Sequence, residues 1–102
     1  MNVITKLGLQ VTVSPDGDIT AAHLADLRDD LIVLAGDFTQ IIIDMSHVEF
    51  IDSAGIVLLI STQNILGKIY HELMLINVSD DIMEVLTRMR LDKHFPITDR
   101  NA

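Results

Sequence analysis

The chain has 102 residues, of which 49% are hydrophobic, and its 15 acidic and seven basic residues give a formal charge of −8. This length suits one compact domain with a single core, and this hydrophobic content excludes a disordered chain. The acidic charge argues against binding to nucleic-acid phosphates or to an anionic membrane surface. Because there is no cysteine, disulfide frameworks and thiolate metal sites are also excluded.

The first third of the chain predicts a strand followed by a helix. Apolar residues at 9, 11 and 13 alternate with polar ones, which is typical of a strand with one buried face, and Pro15-Asp16-Gly17 is a turn signal that closes it. Leucines then recur at helical spacing, which predicts a helix over residues 21–35 with Thr20 as its N-cap and Gly36 as its stop. These leucines are Leu24, Leu27, Leu31 and Leu34.

The rest of the chain alternates in the same way. An Ile-rich strand is predicted over residues 40–44, a helix over 54–67 and a strand over 73–78, and Ser79 is the predicted cap of a further helix. This alternation predicts an α/β fold with parallel central pairings and an antiparallel element at the edge. We expect one domain over residues 2–98 and a frayed tail over 99–102. The apolar face of the last helix is predicted at Ile82, Val85, Leu86 and Met89.

Ser53 is the centre of the functional prediction. Asp52 and Ser53, both preferred N-cap residues, stand between the Ile-rich strand and an apolar helix, which places Ser53 at a helix N-terminus. The first N–H groups of a helix lack intrahelical partners and carry a partial positive charge, so a phosphate on Ser53 would lie in a favourable field. The residues alone leave two interpretations: a phosphorylation switch, or a helix cap, which is the commoner role of such a serine.

The helix after Ser53 is apolar nearly all round its first turns. Residues 56–60 (IVLLI) predict burial between the sheet and the neighbouring helices. An open flank beside Ser53 would form a small hydrophobic surface. A phosphate could abolish the partner affinity of that surface, because it adds about 1.5 to 2 negative charges.

Four segments of the chain match motifs of one family in the right order. Gly17-Asp18-Ile19-Thr20 resembles a Gly-Glu-Leu-Asp element, and residues 41–56 (IIIDMSHVEFIDSAGI) resemble a signature strand and switch loop. Residues 73–79 resemble the next strand, and residues 91–97 resemble the ending of the domain. Together these segments resemble the STAS domains, the anti-sigma factor antagonist family. The resemblance implies a STAS-type α/β fold with a small mixed central sheet.

The resemblance also implies a function in partner switching. The unmodified protein would bind a serine-kinase-type anti-sigma factor or an equivalent regulator, phosphorylation of Ser53 would release it, and a metal-dependent phosphatase of the PP2C type would reverse the modification. Phosphorylatable members read Asp-Ser-Ser-Gly or Asp-Ser-Thr-Gly, whereas the second hydroxyl position is Ala54 here and leaves Ser53 as the acceptor. Thr20 replaces an acidic residue that contributes to the kinase encounter. The implied partner-binding residues are Thr20, Asp52, Ser53, Ala54, Gly55 and Ile56.

A second function from the same resemblance is that of a cytoplasmic STAS subunit in a membrane transport complex, where the loop docks without being modified. An enzyme is not expected, because no nucleophile-elbow motif surrounds Ser53. The four histidines lack metal-site spacing and no GxGxxG or Walker A motif is present, so we expect neither a metal nor a cofactor. Without a signal-peptide-like stretch or a bilayer-spanning apolar segment, a cytoplasmic protein is predicted.

Overall fold

Five strands form one mixed sheet with the order β1-β2-β3-β4-β5 in the computed structural model, which describes residues 2–100. The first pair is antiparallel, and each later strand adds in parallel to the one before it. The predicted α/β fold with parallel central pairings and an antiparallel edge is therefore confirmed. The strands are β1 (Val3–Leu7), β2 (Gln10–Ser14), β3 (Gln40–Asp44), β4 (Glu72–Val78) and β5 (Ile97–Asp99).

Three helices cover one face of this sheet: α1 (Leu24–Leu34), α2 (Ser53–Lys68) and α3 (Asp80–Arg88). Their inner sides join one apolar core with alternate residues of the strands, as expected when strands are packed on one face. Thr12 and Met74, which point to the opposite face, are only half-buried. The strand residues in the core are Val11, Val13, Ile41, Ile43, Leu73 and Leu75.

The first helix begins later than predicted, and the prediction that Thr20 is its N-cap is wrong. α1 begins at Leu24 after His23, whose side chain makes no capping hydrogen bond. The N–H of Ala21 donates instead to Oδ2 of Asp52 at 2.9 Å, and the N–H of His23 donates to the carbonyl of Thr20 at 2.9 Å. Because Asp52 holds the chain at Ala21, residues 20–23 form a turn rather than the first turn of the helix.

The last helix has the predicted cap but only part of the predicted apolar face. The Ser79 side chain accepts the N–H of Ile82 at 3.3 Å, which confirms Ser79 as the N-cap of α3. Ile82 and Leu86 are buried, whereas Val85 and Met89 are exposed. The inner side of α3 is therefore narrower than its sequence pattern indicates.

The expected fraying of the C-terminal tail is wrong for its first two residues. Asp99 lies in β5, and the N–H of Arg100 donates to the carbonyl of Val78 at 3.2 Å. Residues 101 and 102 lie outside the described residues, and the domain range of 2–98 stays a prediction. Within residues 2–100, no helix is both long enough and apolar enough to cross a bilayer.

Candidate functional site

Two loops meet at the edge of the sheet where β2 and β3 end. They are the β2–α1 loop (residues 15–23) and the β3–α2 loop (residues 45–52). Ile19 and Ile51 form a parallel bridge, in which the N–H of Ile19 donates to the carbonyl of Phe50 at 3.1 Å and the N–H of Asp52 donates to the carbonyl of Ile19 at 3.3 Å. The carboxyl ends of parallel strands are where α/β folds place their binding loops. The bridge thus brings the Gly17–Thr20 motif against the motif that contains Ser53.

Asp52 joins the two loops and caps the helix. Its Oδ1 accepts the N–H of Gly55 at 2.9 Å and makes Asp52 the N-cap of α2, while its Oδ2 accepts the N–H of Ala21 at 2.9 Å. The hydrogen bonds from Ala21 and Gly55 lower the pKa of the Asp52 carboxyl below its ordinary value. The interpretation of Ser53 as the cap is therefore wrong, because the neighbouring carboxylate already fills that role.

Ser53 is the first residue of α2, and its side chain is exposed. Within residues 2–100, its hydroxyl has no hydrogen-bond partner. The Ser53 hydroxyl is therefore open to solvent at the N-terminal end of α2. The position at the helix N-terminus that the sequence predicted is confirmed.

The other predicted partner-binding residues divide into two groups. Thr20 and Ala54 are half-buried around Ser53 and Asp52, so part of each lies on the surface. Gly55 and Ile56 are buried, and a Cβ on Gly55 would lie 2.4 Å from the carbonyl oxygen of Ile19. Their side of the helix packs on the Ile19–Ile51 bridge. Gly55 and Ile56 therefore position the site and do not present side chains to a partner.

Two exposed apolar residues, three before and four after Ser53 in the sequence, were not among the predicted site residues. Phe50 is 58% exposed and Val57 is 59% exposed. The backbone of Phe50 is nevertheless held, because its N–H donates to Oδ1 of Asp18 at 3.0 Å and its carbonyl accepts from Ile19. The position of Val57, four residues after Ser53, could have indicated that both share one helix face. The exposure of Phe50 could not be predicted, because nothing in the sequence distinguishes this phenylalanine from an aromatic residue of the core.

A polar cluster anchors the start of the β3–α2 loop. Oδ1 of Asp44 accepts the Nδ2 group of Asn77 at 2.9 Å and the N–H of Ser46 at 3.1 Å, and Oδ2 accepts the Ser14 hydroxyl at 3.4 Å. Burial raises the pKa of Asp44, but the hydrogen bonds from Ser46, Asn77 and Ser14 outweigh it and leave the pKa below its ordinary value. Asn77 adopts φ +57°, a left-handed conformation that asparagine tolerates well.

The two loops of the site carry several carboxylates, which among residues 2–100 do not form a metal centre. Asp18, Glu49 and Asp52 belong to the two loops that meet at Ser53. Across residues 2–100, no group of three or more His, Asp or Glu side chains is arranged to hold a metal ion. A phosphate on Ser53 would therefore add its charge to a region that is already negative.

Known proteins with this architecture were found by comparing the sequence with family models and the fold with solved structures. The family model for the STAS domain matches residues 1–101. An anti-sigma factor antagonist from Mycobacterium paratuberculosis has a TM-score of 0.85 and 24% identity, covering 96% of this chain and 84% of that chain. The Bacillus cell fate determinant SpoIIAA in its phosphorylated form has a TM-score of 0.76 and 18% identity, covering 95% and 90%. The murine anion transporter Solute Carrier 26 family member A9 has a TM-score of 0.76 and 18% identity, covering 93% of this chain and 17% of that chain.

Proposed function

This chain belongs to the STAS domain family, and from that premise we propose that it is an anti-sigma factor antagonist that phosphorylation of Ser53 switches off. In this proposal the unmodified protein binds a serine-kinase-type anti-sigma factor or an equivalent regulator in the cytoplasm. A phosphatase of the PP2C type removes the phosphate, and the chain itself has no catalytic activity. The observation that carries the proposal is the exposed Ser53 hydroxyl at the start of α2, which has no hydrogen-bond partner among residues 2–100.

Phosphorylation of Ser53 is compatible with the fold, because the Ser53 hydroxyl makes no hydrogen bond within the described part of the chain, residues 2–100. Asp52 supplies the cap of α2 and the link to Ala21, so both remain when Ser53 is modified. The similarity in fold to SpoIIAA, whose phosphorylated form is known, supports modification of a STAS domain of this kind. We therefore expect the phosphate to change the surface of the site rather than the fold.

In this proposal, Phe50 and Val57, the exposed apolar residues three before and four after Ser53, supply apolar area for the partner. Aromatic residues dominate binding energy at protein interfaces, and a backbone that is already held loses little freedom on binding. Loss of one anchor contact worth about 2 kcal/mol would weaken binding roughly thirtyfold. A single modified residue at this position is therefore sufficient for a switch.

The phosphate would act by charge as well as by size. It adds about 1.5 to 2 negative charges, and the N–H of Gly55, which could have bound it, already donates to Asp52. Among residues 2–100, no cationic side chain forms a hydrogen bond or ion pair with Ser53. We expect the added charge to face the partner and to prevent Phe50 and Val57 from being desolvated in the interface.

The test compares Ser53→Asp with Ser53→Ala. The wild-type chain is first used to capture the partner from native cells, and affinities for that partner are then measured by calorimetry. We expect Ser53→Ala to keep the wild-type affinity and Ser53→Asp to bind about thirtyfold more weakly. ATP and Mg²⁺ with a captured kinase should label the wild type and not Ser53→Ala.

Ser61→Asp is the matched control, because Ser61 is an exposed serine on the same helix, two turns after Ser53. It introduces the same charge and should bind as the wild type does. Equal affinities for Ser53→Asp and Ser53→Ala would contradict the switch.

A subunit of a membrane transport complex is the second candidate function. The observation that favours it is the fold similarity of 93% of this chain to part of the Solute Carrier 26 family member A9 transporter. Cell fractionation distinguishes the two candidates. Co-sedimentation with membrane transporter subunits, without phosphate on Ser53, would favour this second function, whereas recovery with a kinase in the supernatant would exclude it.

A further inference from the structure

Arg100, which follows β5, places its guanidinium group against the β3–α2 loop. Its Nη2 group lies 2.9 Å from the carbonyl oxygens of Met45 and Ser46 and 3.0 Å from that of Val48, and donates to all three. Two N–H groups therefore serve three acceptors, so at least one hydrogen bond is shared. One side chain thus holds the carbonyls of a loop that is distant in sequence.

The other two nitrogens of Arg100 bond to a residue of β4 and to a side chain of the loop. Nε donates to the carbonyl of Asn77 at 2.9 Å, and Nη1 donates to Oε1 of Glu49 at 3.1 Å. The Glu49 side chain is 69% exposed, and an ion pair this open to solvent contributes little. The bonds from a charged donor to backbone carbonyls are the stronger part of the contact. A lysine at this position could not reproduce them, because it lacks the planar fork of N–H groups.

Asp18, in the β2–α1 loop, also holds the β3–α2 loop. Oδ1 of Asp18 accepts the N–H groups of Glu49 at 2.9 Å and Phe50 at 3.0 Å. Inside the loop, the N–H of Val48 donates to the carbonyl of Met45, which is also an acceptor for Arg100. Val48 is fully buried, while Phe50, two residues later, is largely exposed. Arg100 and Asp18 therefore both hydrogen-bond to the backbone of the loop segment that carries the exposed Phe50, three residues before Ser53.

We infer that Arg100 is a positioning residue that holds the β3–α2 loop ready for partner binding. The inference rests on the proposed function of the Ser53 site. Because Arg100 contacts this loop from a distant part of the sequence, partner affinity would depend on a residue that the partner need not touch. Without the Arg100 side chain, the loop would have to be ordered during binding, and that ordering would lower affinity.

Amide hydrogen exchange on the free protein tests whether Arg100 holds the β3–α2 loop when no partner is bound. In Arg100→Gln and Arg100→Lys, the amides of Val48, Glu49 and Phe50 should exchange about tenfold faster or more than in the wild type. The amide of Ile82, capped by Ser79 in α3, should keep its protection and report that the variant is folded. Unchanged exchange at residues 48–50 in both folded variants would overturn the inference.

Two further variants separate the effect of the Arg100 hydrogen bonds to the loop carbonyls from the effect of its positive charge. Arg88→Gln removes one positive charge from an exposed pair with Glu84 on α3 and should leave the loop amides unchanged. Glu49→Gln removes only the ion pair of Arg100 and should accelerate exchange less than Arg100→Lys does. Faster loop exchange in Arg88→Gln equal to that in Arg100→Gln would overturn the inference, because net charge would then be the cause.

Partner affinity completes the test and separates the two proposals. Arg100→Lys should bind the captured partner about tenfold more weakly than the wild type. If Ser53→Asp weakens binding and Arg100→Lys binds as the wild type despite its mobile loop, the positioning role is overturned and the switch stands. If Arg100→Lys weakens binding and Ser53→Asp does not, the switch is overturned and the positioning role stands.

Discussion

At the scale of single residues, Gly55 shows why the site depends on a close approach between two loops. A Cβ at this position would lie 2.4 Å from the carbonyl oxygen of Ile19 and 2.7 Å from Cγ1 of Ile51. The first of these atoms belongs to the backbone of the Ile19–Ile51 bridge and cannot turn aside as a side chain would. The absence of a side chain at Gly55 therefore lets α2 begin directly against the bridge.

Gly55→Ala should destabilise the protein by about 1 to 3 kcal/mol, because the new methyl group overpacks the bridge. Gly67→Ala is the matched control on the same helix. A Cβ at Gly67 would meet nothing closer than the Gln63 side chain at 4.0 Å. Alanine is the better helix former, so this control should stabilise the protein by about 0.5 to 1 kcal/mol. Urea unfolding measures both changes, and a stabilising Gly55→Ala would contradict the close approach.

At the scale of elements, α2 combines a core side with an outer side that is also apolar. Leu59 and Leu66 are fully buried, as the apolar pattern of this helix predicts. Val57 and Ile65 lie on the outer side and are 59% and 56% exposed. The open flank that the sequence allowed beside Ser53 is therefore present. Val57 is one turn from Ser53, and Ile65 is two turns farther along the helix.

Val57→Asp should weaken binding of the captured partner by about tenfold or more, because it places a charge in the proposed interface. Ile65→Asp introduces the same charge at nearly the same exposure but farther from Ser53, and it should bind as the wild type does. Both variants should unfold at urea concentrations close to that of the wild type, since both side chains face solvent. If calorimetry finds equal losses of partner affinity for the two variants, the interface does not lie at the N-terminal end of α2.

At the scale of the whole molecule, hydrogen-bonded carboxylates connect stability to pH. Asp44 and Asp52 accept N–H groups from β4 and from both loops of the site, and the pKa of each lies below its ordinary value of 3.8. A lowered pKa means that the ionised form is favoured in the folded state. Its stabilising contribution is therefore present above pH 3.8 and is lost as the pH falls through 3.8 toward the lowered pKa.

Asp52→Asn should lower the urea midpoint at pH 7, and its difference from the wild type should shrink once the pH falls below about 3.8. The physical reason is that protonation removes from the wild type the same charged acceptor that the substitution removes. Asp29→Asn, at an exposed position on α1, controls for the loss of one negative charge. A midpoint difference for Asp52→Asn that stays constant from pH 7 to pH 2.5 would contradict this linkage.

The sequence predicted the elements of the fold better than their ends. The Ile-rich strand was predicted with its observed bounds, because Gln40–Asp44 is a short apolar run buried in a sheet. The start of α1 could not be predicted, since Ala21 is held by an aspartate far along the chain. The tail was expected to fray because a short polar end shows no pattern of its own, whereas β5 and Arg100 are ordered by pairing with β4 and by contact with the β3–α2 loop.

The sequence predicted the central residues of the candidate site, Asp52 and Ser53, but not which of the surrounding residues are exposed. Ser53 and Asp52 follow from capping preferences, which act within a few residues. Exposure of Phe50 and burial of Gly55 and Ile56 depend on which surface the Ile19–Ile51 bridge covers. A search for local motifs therefore finds the serine but not the residues that frame it.

The sequence by itself determined the acidic charge, and it determined the α/β fold class and the helix N-terminus at Ser53 because local preferences and hydrophobic periodicity act over short distances. The STAS type of that fold followed from the resemblance of its motifs to the family. Only the tertiary structure decided that Asp52 rather than Ser53 caps α2, that Phe50 and Val57 remain exposed, and that Arg100 closes on the β3–α2 loop. The physical reason is that these three outcomes depend on contacts between segments far apart in the chain. Such contacts leave no periodic signal in the residues that make them.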